Sequence, residues 1–122
     1  MGLPIITTLS LANMQAQLTN NPGLFIVKLG AEWCGPCKVI ESLVHTHMSS
    51  MPENVQCAII DVDESFDLYA FLTKKRIVRG IPAILCYYAG NVEIYPDDLI
   101  IGADTQQVNQ FFERCIARSN KL

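Results

Sequence analysis

Apolar and polar positions follow two rhythms along this chain, and the switches between them mark its elements. Ile5-Ile6-Thr7 reads as a short first strand. Ser10 can cap a helix carrying Leu11, Met14 and Leu18 on one face, which Asn20-Asn21-Pro22-Gly23 ends. Leu24 to Leu29 is almost continuously apolar, the pattern of a strand covered on both faces. Val39, Ile40, Leu43, Val44 and Met48 then recur at helical spacing until Met51-Pro52. Val55 to Val62 is the next strand, and Ser65 to Lys75 a helix with Phe66, Tyr69 and Leu72 inward. Ala83 to Tyr88 is a strand, Gly90-Asn91 a turn, and Val92 to Ile101 a returning strand or pair of pieces. Asp104 with Gln107 opens the last helix, whose buried stripe is Val108, Phe111, Phe112, Cys115 and Ile116. The order β-α-β-α-β-α-β-β-α is that of an α/β protein, and its β-α-β units predict a parallel strand pair with a right-handed crossover.

Composition narrows this picture. A chain of 122 residues, half of them apolar and 17% charged, suits one domain over 1–122 with a sizeable core. A net charge of −3 gives no electrostatic footprint for nucleic acid. Lys74-Lys75-Arg76 with Arg79 is the one basic run and reads as a solvated helix end. No apolar run approaches the ~20 residues that span a bilayer, so no membrane partner is expected. Met1 to Ile6 lacks a basic start and Thr7-Thr8 interrupts it, which makes a poor signal peptide. The expected address is cytoplasmic, where a close cysteine pair is more often catalytic than structural.

That pair is Cys34 and Cys37, in Trp33-Cys34-Gly35-Pro36-Cys37 directly after the apolar strand. Residues three apart on a helix share a face, so a helix starting here brings the two sulfurs together. Cys34 then sits at the helix N-terminus, where free N–H groups and the dipole favour a thiolate. Pro36 suits the first turn because it has no N–H to lose. A thiolate beside a second thiol is the apparatus of thiol–disulfide exchange. A stapling disulfide here would close too short a loop to restrain the chain. A tetrahedral metal site fits poorly, since His45 falls about 12 Å from Cys37 along the helix axis.

Trp33 to Lys38, with Arg79-Gly80-Ile81-Pro82 downstream, resembles the active site of the thioredoxin family, and the likeness covers nearly the whole chain. The resemblance implies a thioredoxin fold, a central mixed sheet with helices on both faces. It implies Cys34 as the exposed nucleophile and Cys37 as the shielded resolving thiol. Pro82 would be cis beside the pair, and the Ile81 backbone would add a substrate chain as a strand. Trp33, Gly35, Pro36, Gly80, Ile81, Pro82, Gly102 and Ala103 would form the substrate-binding rim. The expected activity is reduction of protein disulfides by a monomer, recharged by a thioredoxin reductase, with no bound cofactor and no metal.

Lys28 departs from the family pattern. Six residues before the first cysteine the family usually carries a buried aspartate, and the lysine often found on the neighbouring strand is here Ile59. An ammonium ~6 Å from a sulfur, at an effective dielectric near 20, favours the thiolate by about 3 kcal/mol. Lys28 therefore reads as a pKa-tuning residue, with two competitors: a neutral amine acting as base, and a side chain that snorkels away. A charged Lys28 would shift the couple toward oxidase or isomerase behaviour. An accessory subunit that only binds partners is the reading from another class. Cys57, Cys86 and Cys115 lie in apolar stripes and read as small hydrophobes. Tyr95-Pro96-Asp97-Asp98 looks like an insertion that breaks the last strand.

Overall fold

A computed structural model describes residues 2–122; Met1, the first residue of the segment tested as a signal peptide, lies outside them. The elements are α1 (Leu11–Thr19), β1 (Leu24–Gly30), α2 (Gly35–Ser49), β2 (Val55–Asp61), α3 (Phe66–Lys74), β3 (Ala83–Tyr88), β4 (Asp98–Ile101) and α4 (Thr105–Ser119). The strands form a mixed sheet in the order β2-β1-β3-β4. β1 runs parallel to β2 and antiparallel to β3, and β3 runs antiparallel to β4.

β1 is central because all seven of its residues can be covered. Phe25, Val27 and Leu29 pack with Met14 and Leu18 of α1 and Leu68 and Leu72 of α3. Leu24 and Ile26 pack on the other face with Ile40, Val44 and Met48 of α2 and Val108, Phe111 and Phe112 of α4. Burying each such side chain stabilises the fold by about 1.5–3 kcal/mol, so the two faces together fix the strand register. The helix starts follow the side-chain chemistry: Ser10 Oγ accepts from the Asn13 N–H, and Asp104 accepts from the Gln106 and Gln107 N–H groups.

Several expectations from the pattern need correction. The strand at Ile5-Ile6-Thr7 is a single bridge, Ile6 to Ala58, since Pro4 has no donor and Thr7 and Thr8 turn outward. The returning strand is only Asp98–Ile101. Residues 92–97 bend instead, Pro96 having no N–H for a ladder. The fully buried Tyr87 donates its hydroxyl to the Ile94 carbonyl at 2.7 Å, and Asp97 accepts from the Tyr88 N–H at 2.8 Å. Phe66 and Val39, assigned to buried stripes, are 69% and 64% exposed. The residues that face the sheet are Leu68 on α3, two positions after Phe66, and Ile40 on α2, one position after Val39. Ile116 likewise lies at the rim of its stripe.

Candidate active site

The C-terminal end of β1 delivers the chain to the first turn of α2, and both motif cysteines lie there. Cys34 is the N-cap of α2, with extended backbone (φ −88°, ψ 107°). Its sulfur accepts from the Cys37 N–H at 3.2 Å. Pro36 occupies the first turn, where its missing N–H removes nothing from the helix. The Cα atoms of Cys34 and Cys37 are 5.3 Å apart and their sulfurs are bonded as a disulfide. The free N–H groups and positive end of α2 thus meet at the sulfur of Cys34, the surroundings that favour a thiolate once the bond opens.

The front of the pair is built by three loops. Cys34 Sγ lies 3.9 Å from the carbonyl oxygen of Ile81, and the Ile81–Pro82 peptide bond is cis. The Pro82 carbonyl accepts from the Gly102 N–H at 2.8 Å, which brings the Gly102-Ala103 corner to the same edge. Gly102 has φ 109°, a left-handed backbone that suits glycine. Gly35 and Gly80 face open space, where an added Cβ would meet nothing, so they leave the rim low. Trp33 is 69% exposed, and its indole N–H donates to Asp63 at 2.8 Å. Every rim residue expected from the sequence is therefore at this end of the sheet. The cysteines correct one expectation: Cys34 is 5% exposed and Cys37 3%, so both are recessed and neither is openly displayed.

Lys28 lies behind the pair. As a residue it is only 6% exposed. It sits in register with Ile59 and Ile84 on the flanking strands. Its amine reaches a pocket of about 230 Å³ whose lining includes Glu32, Cys37, Lys38, Glu41, Asp61 and Glu64. Burial lowers the Lys28 pKa from its ordinary value, Glu41 raises it and Lys38 lowers it.

Three contributors carry no motif in the sequence: Asp63 holding the Trp33 ring, Gly30 beneath Cys37, and Glu41 beside Lys28. Glu41 has the one available signal, falling one helical turn after Cys37. The two histidines turn elsewhere on α2, His47 to Asn109 at 2.8 Å and His45 to Ser49 at 3.4 Å.

The other cysteines are free and buried. Cys57 and Cys86 flank Ile26 across three strands, and Cys115 of α4 packs in the same cluster. Burial pushes the Cys57 thiol up to about 12. The Cys86 thiol is raised as well, first by its hydrogen bond with Cys115 and then by burial.

Comparison with known proteins follows the same outline. A family model described as Thioredoxin matches residues 5–114. The chain is 30% identical over 82 residues to the thioredoxin of Pseudomonas aeruginosa, covering 67% of this chain and 72% of that protein. It is 26% identical over 102 residues to the thioredoxin of Coprinus comatus, covering 83% of this chain and 89% of the other. The X-ray structure of Fasciola hepatica thioredoxin superposes with a TM-score of 0.72 at 23% identity, over 90% of this chain and 98% of that one, a likeness of fold.

Proposed function

The chain belongs to the thioredoxin family and is a thiol–disulfide oxidoreductase; within that class we propose that it reduces the disulfides of other proteins, with Cys34 attacking and Cys37 resolving. The observation that carries this reading is the Cys34–Cys37 pair bonded at the N-terminus of α2. In the reduced protein the Cys34 thiolate attacks a substrate disulfide, forming a mixed disulfide and releasing one substrate thiolate. Cys37 then attacks Cys34, and the second substrate sulfur leaves as a thiolate. The pair ends oxidised and the substrate gains two electrons. An incoming chain lies across Trp33, Gly35 and Pro36 and pairs with the backbone at Gly80, Ile81 and Pro82, with Gly102-Ala103 closing the rim.

The protein works as a single-domain monomer in the cytoplasm, recharged by a thioredoxin reductase. No helix among the described residues is long and apolar enough to cross a membrane. The test is insulin disulfide reduction driven by a nicotinamide-dependent thioredoxin reductase. The wild type is expected to turn over, and Cys37→Ser to accumulate a covalent mixed disulfide through Cys34. A wild type inert toward both the reductase and insulin overturns this function in favour of an accessory binding role.

A further inference from the structure

The space behind Cys37 differs in kind from the front. Alternate side chains of β1 face α2, so Leu24, Ile26 and Lys28 form one row, and only the last carries a charge. Lys28 is the one buried ionisable amine or carboxylate among the described residues; the other buried polar residues are Ser65 and Ser119. A Cβ built on Gly30 would lie 3.0 Å from Lys28 Nζ and 3.5 Å from Cys37 Sγ. The nitrogen and the sulfur are therefore no farther apart than the sum of those distances, about 6.5 Å, and residue 30 puts no side chain between them.

We propose that Lys28 is a positioning residue for the resolving step: its ammonium, facing Cys37 across the bare Cα of Gly30, stabilises the Cys37 thiolate. This rests on the reading that Cys37 resolves the mixed disulfide. The carboxylates of the pocket favour the charged amine, against the burial that disfavours it. Glu41 and Lys38 face it from α2, Glu32 from the loop before α2, Asp61 from the end of β2 and Glu64 from the loop after it. Four carboxylates thus surround two amines in a pocket rimmed by exposed residues.

Cys37 gives up its thiol proton to solvent through this pocket, and the thiolate is held beside the Lys28 ammonium. Its electron pair forms the Cys34–Cys37 bond as the bond from Cys34 to the substrate sulfur breaks. The substrate sulfur departs as a thiolate and takes a proton from water. Lys28 keeps its proton throughout, so its contribution is charge and not proton transfer.

Lys28→Met, which keeps the length and apolar stem, tests this. In a Cys34→Ser background, the pH midpoint for alkylation of Cys37, located by mass spectrometry, is expected to rise by one to about two units. With Cys34 intact, equilibration with glutathione is expected to shift at least about tenfold toward the disulfide form, a potential roughly 30 mV more negative. Lys28→Arg, which keeps the charge, retains the wild-type midpoint and potential. Gly30→Ala pushes the flexible end of Lys28 away and gives a smaller shift in the same direction as Lys28→Met. A Lys28→Met protein that folds with both readings unchanged overturns the proposal; if it does not fold, an unchanged midpoint in Gly30→Ala does so. Neither reading needs a protein substrate, so an inert wild type would sink the proposed function without deciding the role of Lys28.

Discussion

Sulfur occurs at two levels of this sheet, and the levels behave as different chemical groups. Cys34 and Cys37 stand past the end of β1, at the positive end of a helix, with a charged pocket behind them and a rim of backbone in front. Cys57 and Cys86 flank Ile26, four residues earlier on β1 than Gly30, or about 13 Å deeper. There the neighbours are aliphatic and aromatic carbon and the sulfur of Cys115. Both levels are nearly sealed by area: Cys34 is 5% exposed and Cys57 2%. Exposure therefore does not separate the proposed nucleophile from the deep cysteines. The helix end lowers the free energy of a thiolate, and the carbon-lined layer raises it.

The largest expected effect tests the separation directly. Cys34→Ser is expected to lower insulin reduction by at least about 10,000-fold, because no other sulfur can begin the exchange. Replacing Cys57, Cys86 and Cys115 together by alanine is expected to leave the rate within about threefold. Turnover assays on purified, folded protein check both. Loss of activity in the triple variant would mean that the deep sulfurs take part, and the two levels would be one system.

A smaller effect concerns the proton. With its thiol pushed up to about 12 from an ordinary 9.0, Cys57 holds roughly 1,000-fold less thiolate at any pH below 9 than an open cysteine. Its alkylation in the folded protein is expected to be slower than in denaturant by at least that factor, as peptide mass spectrometry would read. The same shift acts on stability. Because the folded pKa is raised, the contribution of this thiol is complete below pH 9 and is lost as pH climbs toward 12, so alkaline unfolding should ease in Cys57→Ala. Alkylation of native Cys57 at the rate of Cys34 would erase the distinction.

Much of this contrast is visible in the chain itself, and the reason is periodicity. The apolar run at Leu24–Leu29 reports a strand covered on both faces, and Trp33 to Lys38 marks the helix start by its own chemistry. Spacing three residues apart is enough to pair Cys34 with Cys37. It is not enough for the deep layer. Cys86 and Cys115 lie on β3 and α4, and their contact comes from the packing of α4 on the sheet, which no local pattern encodes. The same holds for Lys28. Its identity is plain in the sequence, but its four carboxylate neighbours come from separate segments, and its approach to Cys37 depends on the missing side chain of Gly30. Phe66 and Val39 are the opposite case: helical spacing puts them near the apolar stripe, and the angle at which each helix meets the sheet leaves them outside.

The smallest effect separates two members of the deep layer. Serine in place of a buried cysteine exchanges a weak donor for a strong one that needs a partner. At position 86 the neighbouring Cys115 sulfur of the same buried cluster offers an acceptor, whereas Cys57 is raised chiefly by burial. Cys57→Ser should therefore cost about 2–3 kcal/mol and Cys86→Ser about 1 kcal/mol less, measured by urea unfolding at pH 7. A Cys115→Ala background removes the acceptor and should bring the cost at 86 up to that at 57. If the two serine variants are equally stable while Cys115 is present, the sulfur–sulfur contact contributes nothing. The deep layer is then uniform hydrocarbon in its effect, and only the level at the helix end uses sulfur for more than volume.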